Sequence, residues 1–228
     1  MTTAVELLAV ETPSPKRNWG GVVVAIAGAF ELVATLFNAV ARAIPGFPTN
    51  VFGIISGLLL GSYLLVPLAL VVGFAPLAFG ARGLASIAGS GIRGRLFVFA
   101  AALVSAIVQF ALIFLVVASL GSDEGSSERA MSSSLVLQVF ALLVGLIAGI
   151  VVARARVVRG YGRGSLIVAA ILISITLALG YTDILQNWQD VPRAVGILAL
   201  GVSYWRAGLH RVPSGPTRVT GNAKSLAE

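Results

Sequence analysis

The sequence predicts an all-α membrane protein, built as a bundle of six transmembrane helices. The chain of 228 residues is 57% hydrophobic and only 11% charged. A soluble domain of this length could not cover so much apolar surface with so few charges. Six apolar runs each approach the roughly 20 residues that a helix needs to cross a bilayer. The runs are continuous rather than alternating, which favours helices over a β-barrel.

The six predicted spans divide the chain into a membrane domain, residues 19–207, and two ends. Residues 1–18 are predicted to be a cytoplasmic N-terminal segment, and residues 208–228 a disordered cytoplasmic tail. Between the third and fourth spans, residues 122–134 (SDEGSSERAMSSS) are predicted to form a polar outer loop. The spans themselves are placed at residues 19–43, 51–74, 95–120, 134–155, 164–186 and 190–207.

The last span is short, but it has a helix start signal. Asp190 at the N-cap position and Pro192 in the first turn are typical of helix N-termini. In the second span, Pro67 and Pro76 predict a kink or a break between them. The apolar residues 75–92 that follow are predicted to extend the helix or to lie along the inner membrane surface.

The basic residues predict that both chain ends are cytoplasmic, in the plasma membrane. With the N-terminus inside, only Arg42, Arg129 and Arg193 of the 16 Lys and Arg residues fall in outer segments. Cytoplasmic loops carry this excess of positive charge, and the basic inner rim is expected to meet anionic lipid headgroups. The first apolar run also resembles a signal peptide. It is about twice the usual length of 7–15 residues, which favours a retained anchor.

Two glycine patterns are assigned structural roles. Residues 89–94 (GSGIRG) match the dinucleotide pattern G-x-G-x-x-G, but they join two membrane spans and follow no strand, so a cytoplasmic turn is predicted. Gly57 and Gly61, and likewise Gly145 and Gly149, are spaced to let helices approach closely. Packing inside the bundle and packing between protomers of a homodimer both explain these pairs.

Glu31 lies at the midpoint of the first span and begins a polar stripe. With 3.6 residues per turn, Glu31, Thr35, Asn38 and Arg42 fall on one face of the helix. An ionisable group at the centre of a bilayer costs about 2.5–3.5 kcal/mol. The stripe is therefore expected to face the interior of the bundle, where it meets polar groups or water.

Other polar residues are expected at the same depth as Glu31. Spans four and six offer none there, and no basic residue is predicted near that level. At the outer end, Arg42 is expected to pair with Asp183 or Asp190. The midplane groups are Ser62 and Tyr63 on the second span, Gln109 on the third, and Ser174 and Thr176 on the fifth. The candidate polar pathway or proton or ion site comprises Glu31, Thr35, Asn38, Arg42, Tyr63, Gln109, Ser174 and Asp183.

The residue types argue against an enzyme. The chain has no cysteine and one histidine, and no acid pair or serine with a base is expected at one depth. No metal, cofactor or nucleic-acid partner is predicted. One hypothesis is a small transporter or channel with Glu31 as a protonatable site. The alternative is a non-catalytic membrane subunit or scaffold of a larger complex. In a third interpretation, a neutral Glu31 donates a structural hydrogen bond to Gln109.

Overall fold

In the computed structural model the described residues form six α-helices and no strand. They are residues 18–80, 86–119, 124–158, 160–180 and 188–207, without the side chains of residues 116–134. The predicted chain ends and Asp183 lie outside them. A short 3₁₀ helix, Gly160–Arg163, precedes α5. The helices are α1 (Trp19–Ala43), α2 (Thr49–Phe79), α3 (Ile92–Ser119), α4 (Glu124–Ala155), α5 (Ser165–Gly180) and α6 (Val191–Arg206).

Four of these helices are long and apolar enough to cross a membrane, which confirms the all-α class and indicates a membrane-embedded protein. The membrane-length stretches are Trp19–Ala43, Thr49–Phe79, Ile92–Leu115 and Leu135–Ala155. Helices α5 and α6 have 16 residues each. At 1.5 Å per residue they extend about 24 Å, less than the roughly 30 Å of hydrocarbon in a bilayer.

One boundary prediction is correct in part and another is wrong. Helix α2 continues through Pro67 and Pro76 to Phe79, so the predicted extension of the helix beyond residue 74 is present and a break is not. Proline is tolerated in membrane helices where neighbouring helices stabilise the distorted backbone, and Pro67 is fully buried. Helix α4 begins at Glu124 and so includes most of the predicted loop 122–134. Several residues in that stretch are good helix formers, and an acidic residue suits the first turn of a helix.

The described part of the connection before α3, residues 86–91, is a packed turn, whereas the glycine pattern predicts a turn over residues 89–94 and α3 already begins at Ile92. Residues 87–91 form turns and bends before α3 begins. Gly89 has a φ of +84°, in the left-handed region that glycine enters without steric cost. Ile87 is fully buried, and its N–H donates to the carbonyl of Leu77 at 3.0 Å. The turn therefore covers one end of the core.

The helices form a ring in chain order. Each helix packs against the next along the chain, and α6 packs against α1 to close the circle. Helices α1 and α6 run antiparallel, because Gly21 lies against Trp205 and Gly28 lies against Leu198. The ring leaves a central space that the described parts of α2 to α6 surround.

Glycines allow the close approach of α1 and α6, although not the glycines that the sequence pattern singled out. A Cβ atom added at Gly28 or Gly201 would overlap the backbone of the facing helix. By contrast, Gly57, Gly61 and Gly145 have no atom within 4 Å of such a Cβ, while Gly149 packs against Ile167. Spacing alone identifies small residues that can pack closely but does not show which of them meet another helix.

Candidate charged cluster and central cavity

Glu31 is completely buried and forms an ion pair with Arg193. The Arg193 Nε lies 3.1 Å from Glu31 Oε1, and the Glu31 side chain has no exposed surface. The antiparallel contacts of α1 and α6 bring the first turn of α6 alongside the middle of α1. The prediction that no basic residue lies near Glu31 is therefore wrong. The sequence predicts Arg193 in an outer segment. In the structure α6 begins level with the middle of α1, which brings Arg193 beside Glu31.

Arg193 joins five helices. With the Gln109 amide oxygen turned toward the guanidinium, it accepts from Nη1 at 3.0 Å and also from Nη2. The Tyr63 ring centroid lies 5.0 Å from Cζ, a distance at which a cation and an aromatic face attract each other. The Arg193 backbone N–H donates to Thr176 Oγ1 at 2.9 Å. Contacts from α1, α2, α3 and α5 thus converge on one residue of α6.

Asp190 completes the charged group. It occupies the N-cap position of α6 as predicted, but its side chain forms no capping hydrogen bond. The carboxylate instead interacts with the Tyr63 hydroxyl and electrostatically with Glu31. We call Glu31, Tyr63, Gln109, Asp190 and Arg193 the charged cluster. Two carboxyl groups and one guanidinium meet there, so the ionised cluster carries a net charge of −1.

The polar stripe of α1 faces inward over most of its length. Thr35 is 2% exposed and Asn38 is 7% exposed. Thr35 Oγ1 and Asn38 Oδ1 find no hydrogen-bond partner among the described residues. Buried polar atoms of this kind are usually satisfied by internal water. The stripe therefore extends from Glu31 toward the C-terminal end of α1 as a row of unpaired oxygens.

Other predicted site residues do not join the charged cluster. Arg42 is exposed and forms no ion pair with a described residue, and its other expected partner, Asp183, lies outside the described ranges. The Ser174 hydroxyl donates to the carbonyl of Ala170 at 2.9 Å within α5, and Ser62 donates to Leu59 at 2.7 Å within α2. Each serine is satisfied by its own helix, which is a common arrangement for mid-helix serine.

The ring encloses a cavity of about 390 Å³ with a polar end and an apolar remainder. This volume lies within the range of small-molecule binding sites. Most of the wall consists of aliphatic side chains and alanines from α3, α4, α5 and α6, together with Phe74 of α2. The polar end contains Gln109, Gln138, Thr176, Gln189, Asp190 and Arg193. Arg193 therefore separates the cavity from the carboxyl group of Glu31.

Arg193 is not among the predicted site residues, and Asp190 is predicted only as the N-cap of the sixth span or as a partner of Arg42. One signal was available. The sixth apolar run is the shortest and carries an arginine as its third helical residue. A buried membrane acid also requires a partner, and an arginine inside a short span is a suitable one. Which level of α1 that arginine reaches depends on the offset of the two helices, which spacing does not encode.

Among the described residues, no group of three His, Cys, Asp or Glu side chains could hold a metal ion. No protein family, curated protein or solved structure matches the chain.

Proposed function

We propose that the protein is a small integral membrane transporter that binds its substrate in the central cavity and uses Glu31 as a proton site. The observation that carries the proposal is the central cavity with Arg193, the partner of the buried Glu31, at its polar end. Pockets lined mainly by apolar side chains, with a few converging polar groups, are typical binding sites. Buried ion pairs in membrane segments commonly belong to transport pathways.

In this proposal the chain crosses the plasma membrane six times and both chain ends are cytoplasmic. The four long helices and the distribution of basic residues support this topology. Helices α5 and α6 have 16 residues each, and α6 begins level with the middle of α1, so the last two crossings require chain beyond these two helices. The basic cytoplasmic rim meets anionic lipid headgroups.

Protonation of Glu31 is the proposed switch. While Glu31 is ionised, it holds the Arg193 Nε at 3.1 Å. A proton on the carboxylate removes most of this attraction, and the guanidinium is then free to turn toward the cavity that it already lines. Ligand or proton binding shifts such a two-state equilibrium by its differential affinity for the two states.

Thr35 and Asn38 supply a route for the proton. Their unpaired oxygens follow Glu31 at intervals of four and three residues on one face of α1, a rise of about 6 Å and then about 4.5 Å. A water molecule that bridges two oxygens spans a comparable distance, with hydrogen bonds of about 2.8 Å on each side. Waters at these positions would connect Glu31 to the far end of α1.

A proton-flux assay tests this function. Wild-type protein in liposomes should carry protons into the lumen when a membrane potential is applied, measured with an entrapped pH-sensitive dye. Glu31→Gln should reduce this flux to the level of empty liposomes, because the amide cannot exchange a proton. Glu128→Gln makes the same chemical change near the start of α4 and should leave the flux unchanged. Flux that persists in Glu31→Gln would contradict the proposal.

The second candidate function, a subunit of a larger membrane complex, is supported by one surface of α2. Gly53, Gly57 and Gly61 follow each other at intervals of four, and none has an atom within 4 Å of a built Cβ. Such ridges allow a second membrane helix to approach closely. A stoichiometric partner or second copy that co-purifies in mild detergent with wild type, but not with Gly57→Leu, is the expected result. A chain that always purifies alone would contradict this function.

A further inference from the structure

We infer that the central cavity takes an apolar molecule with one positive charge, and that Asp190 binds the charged group. This inference rests on the proposed function, since it assumes that the cavity is a binding site. It goes beyond that function because it assigns the charge and the polarity of the ligand. Three observations carry it: the charge balance of the cluster, the acceptor positions of Asp190 that the described residues do not occupy, and the apolar wall of the rest of the cavity.

The charge balance favours a cation. Of the charged side chains that the structure describes, only Asp190 and Arg193 line the cavity, and Glu31 lies directly behind Arg193. The positive charge of Arg193 is thus matched by Glu31, which leaves the charge of Asp190 without a basic partner in the cluster. An unmatched charge in a cavity of low polarity strongly disfavours a ligand of the same sign and favours one of opposite sign.

The hydrogen-bonding capacity points the same way. The guanidinium of Arg193 uses three of its five N–H groups, because Nη1 and Nη2 donate to Gln109 and Nε faces Glu31. Its face is covered by the Tyr63 ring. Among the described side chains Asp190 interacts with the Tyr63 hydroxyl, whereas an ionised carboxylate has about four acceptor positions. The cavity therefore offers an acceptor for an ammonium group more readily than a donor for an anion.

The remainder of the cavity accounts for the apolar body. Beyond the polar end, the wall is formed by side chains such as Phe74, Leu142, Leu166 and Leu200. Apolar surface of this kind stabilises a ligand in proportion to the area that it removes from water. Apart from Ser105, whose hydroxyl donates to the carbonyl of Ala101 within α3, the polar lining residues belong to the polar end, so a molecule with a single charged end matches the cavity.

The test uses matched probes of opposite charge. Purified protein in lipid nanodiscs is titrated with 4-phenylbutylammonium, an apolar chain with one terminal ammonium group, and with 4-phenylbutyrate, an anion of similar shape. The cation should bind saturably at one site per chain, and 4-phenylbutyrate should neither bind at that site nor displace the cation. Asp190→Asn should weaken binding of the cation about tenfold or more, as expected when a charge-assisted interaction is lost. Glu128→Gln removes a negative charge elsewhere and should leave binding unchanged.

A second variant locates the site independently of charge. Leu142→Trp places a large side chain into the cavity wall without changing the charge, and it should block binding of the cation while the thermal unfolding midpoint stays near that of wild type. If 4-phenylbutyrate binds instead of the cation, or if Asp190→Asn binds the cation like wild type, the inference is wrong although the cavity is still a binding site. If Leu142→Trp leaves binding of either probe intact, or if neither probe binds to wild type, the cavity is not the binding site of these probes and the inference is wrong as well. The proposed function is then decided separately by the proton flux of Glu31→Gln.

Discussion

At the scale of single residues, Arg193 is the most heavily connected side chain of the charged cluster. Its Nε faces Glu31, its terminal nitrogens donate to Gln109, and its face lies over Tyr63. A buried ion pair adds little stability overall, because both charges lose their hydration. Removing only one partner is different, since the remaining charge stays buried without compensation.

This asymmetry gives a prediction for stability. Arg193→Gln should lower the free energy of unfolding by about 3–5 kcal/mol, because it leaves Glu31 without its counter-charge. The double variant Arg193→Gln with Glu31→Gln should recover a large part of that loss, since two neutral amides replace the two charges. Unfolding in detergent, followed by circular dichroism for wild type, both single variants and the double variant, measures the coupling. A double variant that is less stable than Arg193→Gln would contradict the prediction.

The residues of the candidate site were predictable where they depended on periodicity. The inward stripe of Glu31, Thr35 and Asn38 follows from helical spacing, and Tyr63 and Gln109 were expected at the same depth. Glu31, Tyr63 and Gln109 lie close to one another because each of them contacts Arg193. Arg193 itself was not predictable in this way, because its depth depends on how far α6 is shifted along α1. Their role in transport remains a prediction.

At the scale of helices, the α1–α6 contact is the most extensive among the described helices, and it depends on the absence of side chains at its glycines. A Cβ at Gly201 would overlap the backbone of Ala25, whereas a Cβ at Gly57 would meet no atom within 4 Å. The same substitution at these two glycines therefore separates the effect of packing from that of helix propensity.

We expect Gly201→Ala to destabilise the protein and to weaken the Glu31–Arg193 pair, because α6 must move away from α1. Gly57→Ala should be neutral or stabilising by up to about 1 kcal/mol, since alanine favours helix over glycine and nothing obstructs its methyl group. Thermal unfolding of the monomeric protein in detergent compares the two variants. Equal effects of the two substitutions would show that close packing at Gly201 is not required.

The boundaries of the helices were predictable to different degrees. The predicted first span coincides with α1, residues 19–43, because a continuous apolar run ends there at a turn that contains Pro45 and Gly46. The start of α4 was not predictable from hydropathy, since a helix can extend as polar turns beyond its apolar part. The continuity of α2 through Pro67 depends on contacts with neighbouring helices, which a local pattern does not contain.

At the scale of the whole molecule, the ring in chain order determines which groups can meet. Glu31 and Arg193 are far apart in sequence, but they become neighbours because α6 packs against α1. Neither the order of helices around the ring nor the cavity was predictable, because hydropathy identifies spans without identifying their neighbours.

The proposed topology is testable because the chain contains no cysteine. Pro45→Cys lies in the exposed turn between α1 and α2, and Tyr161→Cys replaces a residue that is 96% exposed in the 3₁₀ helix before α5. A membrane-impermeant maleimide should label Pro45→Cys in intact cells and Tyr161→Cys only after permeabilisation, since basic segments remain inside. The reverse pattern would invert the topology, and labelling of both in intact cells would refute the six-span arrangement.

The closure of the ring by its first and last helices also has a consequence for biosynthesis. Glu31 emerges from the ribosome well before Arg193, because helices α2 to α5 lie between them in the chain. Throughout that interval the acid is in the first helix without its partner, so the insertion machinery must shelter it or it must be protonated. In a chain truncated before α6, Glu31 would permanently lack its partner Arg193. Such a fragment should be recognised and degraded by membrane quality control, whereas the finished protein is retained.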